Sequence, residues 1–509
     1  MERRFVSKLF SFIFAVFMVF GIISPLFATE VLAEEKVITI FSWEDYIDEG
    51  YDDPEEDAEV LLQEGYSREE LETSLLDIFE EEYGIKVNYH TFATNEEMYN
   101  ELLKDPTAVD LICPSEYMIM KMKDEGLIKP YTMPQNYIDY GSPYIKSVFD
   151  KLNMNLQDEH GNVKSYAIGY MWGTMGLIYN AEKYTDEDLK SWTNLFDDEF
   201  KGKLTIKDSL RDSYILAIGI VYKDELLALK NKLDTDSTYT EETYKDDLFK
   251  IFNRTDSETI DKVGDVLDDL KYNLHSFEVD GGKSDLLTGK IDVNFAWSGD
   301  AVYSMYEGDK VDKKLGYVVP EEGSNVWFDG WVMTKDANEE NALKFLEFVS
   351  KPRVAVRNMN YIGYTSCIAG DDVFTYVTDN FGDDEGNREV DLGYFFGAGN
   401  YKVKVSDSDD GYYRHLYAQY ADEETIMRCA VMDNFSDSVL EEINDMWSKV
   451  KLITFPTYAI ILIVVLIVLI IAGLVIYKFK DKIFRKVPAY VDGKVKHKNC
   501  KIIKKVEIR

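Results

Sequence analysis

Residues 37–41 read VITIF, residues 86–90 read KVNYH and residues 109–113 read VDLIC, with stretches of helical character between them at about Arg68 to Glu82 and Asn95 to Lys104. Short apolar, β-branched runs separated by amphipathic stretches make β-α-β units, which demand a mainly parallel sheet. A further helix is expected from Ser115 to Glu125. Ligands meet such sheets at the loops beyond the carboxyl ends of the strands, and Trp43 and Ser115 stand there, each just after a strand.

A second alternation begins near Ser165. Strands are expected at Tyr166–Tyr170, Gly176–Tyr179 and Lys203–Ile206, then a helix from about Arg211. A long acidic, helical stretch from about Asp224 to Lys271 leads to another buried strand, Ile291–Ala296. The chain is therefore α/β with two lobes, and two lobes leave a cleft suited to a small ligand. With 509 residues it is too long for one compact core.

Charge narrows the partners. The formal net charge is -38, and residues 478–509 oppose it with twelve Lys or Arg against three Asp or Glu. The body before that tail would repel phosphate, so nucleic acid is excluded as a partner and a cationic solute is favoured. Cys113, Cys367, Cys429 and Cys500 lie far apart, and the five histidines form no cluster. No zinc site, disulfide framework, metal or cofactor is expected. The acidic run Asp407-Ser408-Asp409-Asp410-Gly411 has its glycine one place too early for an EF-hand loop.

Two hydrophobic segments set an expected address. Arg3, Arg4 and Lys8 precede an apolar run, Leu9 to Phe27, and then Val31-Leu32-Ala33, the pattern of a secretory signal peptide over 1–33. A second apolar run, from about Tyr458 to Tyr477, is followed at once by Lys478, Lys480, Lys482, Arg485 and Lys486. It predicts a transmembrane helix over 455–477 and, by the positive-inside rule, a basic cytoplasmic tail over 478–509. The body would then lie outside a cell membrane that the chain crosses once.

Several short pieces fall in a familiar order: Phe41-Ser42-Trp43-Glu44-Asp45-Tyr46, Thr94-Asn95-Glu96-Glu97-Met98-Tyr99 and Asp110-Leu111-Ile112-Cys113-Pro114-Ser115-Glu116-Tyr117. Asp208-Ser209-Leu210-Arg211-Asp212, Ala296-Trp297-Ser298-Gly299-Asp300-Ala301, Trp327-Phe328-Asp329 and Tyr361-Ile362-Gly363-Tyr364 follow. From about Val37 to Lys451, apart from two insertions, the chain resembles the periplasmic spermidine- and putrescine-binding proteins. That resemblance implies a two-lobed, type II periplasmic-binding-protein-like fold. Its first lobe would cover 34–142 and return at 327–423; its second would cover 143–326 and return at 424–451.

The resemblance also implies a binding site. Trp43 and Tyr46 would line an aromatic wall, with Asp45 facing an ammonium. Ser115 and Tyr117 would supply a polar and an aromatic contact, Asp212 a terminal carboxylate and Trp297 an aromatic floor. Asp300 would be a further acid, Trp327 and Asp329 the main aromatic–carboxylate pair, and Tyr364 another wall residue. Ser209 stands where spermidine binders can offer an acid, and Met432 where a Gln contact is expected. The acidic insertion at 48–64 and the Tyr- and Asp-rich one at 371–420 depart from the family's shorter loops.

These residue types suit the chemistry. A polyamine is a string of ammonium groups joined by methylenes. Carboxylates must replace the water each charge loses, because an unpaired buried ion is very costly. Aromatic faces cover the carbon chain and attract the cation, at ~0.5–2 kcal/mol per good contact. The expected function is the solute-binding component of a polyamine ABC importer, working with a permease and a cytoplasmic ATPase; the alternative is a tethered polyamine sensor. No nucleophile-base pair, GxSxG, HExxH or P-loop pattern marks an enzyme, and Arg211 reads as an ion-pair partner for its neighbour.

Overall fold

The computed structural model describes residues 36–157, 163–408, 411–452, 457–483, 489–491 and 494–496. The signal peptide expected at 1–33 lies outside them, as do Asp409, Asp410 and Cys500. The chain divides into two units between Val450 and Lys451.

One sheet organises the first unit. Strand Lys36–Trp43 runs parallel to Ile85–Phe92, with Ile38 opposite Val87, and parallel to Leu111–Ile112. The helices between them form where expected. Thr94 caps helix Asn95–Lys104 by accepting from the Glu97 amide at 3.1 Å. Ser74 caps a new helix, Leu75–Tyr83, so the stretch read as one helix from Arg68 to Glu82 is two.

Strand Ala167–Asn180 joins the lobes. All fourteen residues are buried, and the two expected strands, Tyr166–Tyr170 and Gly176–Tyr179, are its ends. Its first half pairs antiparallel with the return strand Val326–Thr334, and its second half pairs with Val293–Trp297 and Leu315–Val318. Val293–Trp297 runs parallel to Leu204–Lys207, which pairs in turn with Leu274–Glu278. The continuity has a packing cause: an added Cβ on Gly173 would stand 2.7 Å from the Trp327 ring. The acidic stretch expected as helix to Lys271 is three helices, Lys223–Thr235, Glu241–Phe252 and Ser257–Leu270.

The insertions are built into the body. Asp48 is buried and paired with buried Arg357 at 2.6 Å, while the same guanidinium donates to Glu70 O at 2.8 Å and Thr73 O at 3.0 Å. In the 371–420 segment Phe395 stacks on Trp172, centroids 5.3 Å apart, and Arg414 reaches Asp309 at 2.6 Å.

The expected membrane-spanning helix over 455–477, with its single-pass topology and cytoplasmic tail at 478–509, is corrected: among the described residues no helix is long and apolar enough to cross a membrane. The second unit does contain a helix, Thr457–Ile483.

Candidate functional site

Asp329 sits where the return strand shifts register, between Asp329 and Gly330. Such a bulge turns a side chain out of the regular pleat. Here it presents the carboxylate to groups from the first lobe. Tyr46 Oη donates to Asp329 Oδ2 at 2.7 Å, and Ser115 Oγ donates to Oδ1 at 2.8 Å. Ser115 is held in turn by Asn95, whose Nδ2 donates to Ser115 Oγ at 3.1 Å and to Tyr117 Oη at 2.9 Å. Asn95 Oδ1 accepts the Ser115 amide at 3.1 Å. Asn95 thus positions two of the expected contacts, and its place in the Thr94–Tyr99 motif was the signal for it.

The second lobe contributes residues from helix starts, as the carboxyl-end rule requires. Asp212 lies in the first turn of helix Leu210–Val221, capped by Ser209, and Asp300 in the first turn of Ser298–Lys310, just after Trp297. A carboxylate there is favoured by the helix dipole. Trp327, Tyr364 and Tyr46 form a continuous aromatic wall: the Trp327 and Tyr364 centroids are 5.6 Å apart, those of Tyr364 and Tyr46 5.5 Å. Tyr364 can lie so close because Gly299 beneath it has no side chain; a Cβ there would overlap the ring.

Burial pushes Asp329 up to about 6; hydrogen bonds from Tyr46 and Ser115 oppose the shift and the charge of Asp212 adds to it. Burial likewise pushes Asp212 to about 6, opposed by Ser209, Lys207 and the Trp297 indole. Among the described residues neither carboxylate makes a salt bridge. Asp300 differs. Its oxygens meet Lys207 at 3.0 Å and Lys283 at 3.6 Å, and Tyr364 Oη donates to Oδ1 at 2.9 Å. Burial would raise its carboxyl, but the two lysines outweigh that and hold it below the usual range.

Nearby, burial pushes Glu116 up to about 8, so it is mostly neutral at pH 7. It accepts the amides of Phe328 at 3.2 Å and Met432 at 3.3 Å, tying the return strand to the later segment. Arg211, expected as an ion-pair partner, instead lies between the Tyr117 and Phe435 rings at 4.2 and 4.0 Å and donates to Asp433 O at 2.8 Å.

The structure therefore brings together Tyr46, Ser115, Tyr117, Asp212, Trp297, Trp327, Asp329, Tyr364 and, in a different role, Asp300. Trp43 packs on Phe92 with centroids 4.7 Å apart, and Asp45 is exposed in a turn with φ +50°. No described contact ties either to the group. Lys207, at a strand end, and Lys283, in the first turn of helix Gly282–Leu287, were not foreseen: neither carries a pattern that separates it from a solvated lysine.

Residues 74–371 match the family described as bacterial extracellular solute-binding protein. The chain is 28% identical over 295 residues to the spermidine/putrescine-binding periplasmic protein of Escherichia coli, covering 57% of this chain and 72% of that protein. It is 26% identical over 342 residues to the putrescine-binding periplasmic protein PotF of Escherichia coli, covering 66% and 78%. A structure from Listeria monocytogenes assigned to a spermidine/putrescine ABC transporter superposes with a TM-score of 0.56 at 25% identity, covering 82% of this chain and 99% of that one. The substrate-binding protein PotD of Streptococcus pneumoniae gives 0.51 at 25% identity, covering 82% and 98%. Both Escherichia coli relatives are named as periplasmic, which corrects the membrane-anchored placement expected from the sequence; among the described residues no helix is long and apolar enough to cross a membrane.

Proposed function

This chain belongs to the family of bacterial extracellular solute-binding proteins, and from that premise we propose that it is the solute-capturing component of a polyamine ABC importer. It is a binding protein and not an enzyme. It takes putrescine or spermidine between its lobes and delivers it to a separate permease driven by an ATPase. The relatives named for ABC transport favour this over a sensor without a transport role.

One observation carries the reading: Asp212 and Asp329 are buried carboxylates, 6% exposed each, that receive neutral hydrogen bonds and form no salt bridge among the described residues. Two such charges are costly unless a cation meets them. The rings of Trp297, Trp327, Tyr364 and Tyr46 supply the apolar, quadrupolar lining that a methylene chain between ammonium groups requires. Ser115 and Tyr117 complete the set, with Asn95 positioning both. A sugar would stack on the same rings but has no positive charge to offer the acids.

Calorimetric titration of the purified chain with putrescine, spermidine, a neutral amino acid and a hexose tests this. Saturable heat with one of the amines and none with the sugar or amino acid is expected. Binding of neither amine refutes the proposal.

A further inference from the structure

Lys207 ends strand Leu204–Lys207 and is buried, with 1% of its surface exposed. Its ammonium donates to Val279 O at 2.7 Å and to Asp300 Oδ2 at 3.0 Å, and Glu278 Oε1 stands 3.3 Å away as an ion-pair partner. Its nitrogen also lies 4.3 Å from the Trp297 ring centroid. That is the environment a ligand ammonium would seek: an aromatic face beside a carboxylate. The chain fills it with its own cation.

We infer that Lys207 is a built-in ammonium occupying one cation position of the cleft, so that the site selects a diamine over a triamine. The inference rests on the polyamine reading above. Its argument is a balance of charge. Lys207 pairs with Asp300 and Glu278, and Lys283, 3.6 Å from Asp300, is shared with exposed Asp280 at 2.7 Å, whereas Asp212, though within the field of Lys207, and Asp329 make no salt bridge among the described residues. Two uncompensated carboxylates suit two ammonium groups. A third would either lie beside Lys207, where like charges repel, or displace a lysine already held by Val279 O, Asp300 and Glu278. Burial by itself would lower the affinity of Lys207 for its proton, but Asp300 and Glu278 more than offset it, so the side chain stays charged. Ser209, which stands where spermidine binders can offer an acid, caps its own helix by accepting from the Asp212 amide at 3.4 Å.

Titration of the full chain with putrescine and spermidine gives the first test. The wild type is expected to bind putrescine at least about tenfold more tightly; equal or tighter binding of spermidine overturns the inference. Lys207→Met removes the charge and frees Asp300 and Glu278, and is expected to move the spermidine-to-putrescine ratio of Kd values about tenfold or more toward spermidine. Lys207→Gln keeps donors for Val279 O and Asp300 while removing the charge, and serves if the Met variant loses its cooperative melting curve. An unchanged ratio in a folded variant also overturns the inference, and if neither variant folds the wild-type ratio alone decides. Failure of the wild type to bind either amine is a different result: it sinks the polyamine reading itself.

Discussion

The Tyr46 hydroxyl donates to Asp329 Oδ2 at 2.7 Å although 283 residues separate them along the chain. Tyr46 follows the first strand of one lobe, and Asp329 lies on the strand that returns from the other. Their bond orients one oxygen of a buried carboxylate, while Ser115 holds the second. Both oxygens of the carboxylate are thereby held in place.

Replacing Asp329 by Asn keeps the shape and removes the charge. Putrescine affinity is expected to fall by ~2–5 kcal/mol, the range for losing one partner of a buried charge pair. Calorimetry at pH 7.5 reads this directly, and an unaltered Kd removes Asp329 from the site.

Tyr46→Phe removes one hydrogen bond that favours the ionised Asp329. The carboxyl is then expected to titrate above its present value of about 6, and affinity at pH 7 to drop by ~1–3 kcal/mol, as for a lost bond to a charged group. Measuring Kd from pH 5 to 8 in both proteins checks it: coincident profiles exclude the role given to Tyr46.

Acid has opposite effects on binding and on stability. Asp212 and Asp329 must be ionised to meet a cation, and each titrates at about 6 in the ligand-free protein, so amine affinity should weaken as pH falls from 7 to 5. In an unfolded chain an aspartate titrates near ~3.9. The folded state therefore binds these two protons more tightly, and their stabilising contribution is complete below that unfolded value and lost as pH rises through about 6. Kd and the ligand-free unfolding midpoint, followed together over pH 4 to 7.5, should show these opposing trends from this pair.

Arg357→Met leaves Asp48 buried without its partner. A loss of ~3–5 kcal/mol in unfolding free energy at neutral pH is expected. Burial already pushes Asp48 up to about 6 despite Arg357, and without the guanidinium its carboxyl titrates higher still. Protonation then relieves the unpaired charge, so the variant's deficit should shrink at pH 5. Urea unfolding at both pH values decides; an equal deficit at each contradicts this account.

Much of the site was readable because aromatic and acidic residues lie beside strand ends, and strand ends are marked by local pattern. Asp212, Asp300 and Asp329 could be placed near one another only through the resemblance to the spermidine- and putrescine-binding proteins. What each carboxylate faces could not. Asp300 and Lys207 are 93 residues apart, and nothing in either neighbourhood announces that one occupies the other. The division of Ala167–Asn180 into two strands failed for a related reason: Gly173 looks like an interruption until Trp327 is packed against it.

By itself the sequence determined the α/β architecture and the order of its strands and helices, because periodicity and helix caps act over a few neighbouring residues, and its likeness to a known family implied the residues of the site. The tertiary structure decided which charges are already paired and which remain for a ligand: Asp212 and Asp329 without a salt bridge among the described residues, Asp300 held by two lysines. Electrostatic pairing depends on distance in space, and that distance exists only once the lobes have folded.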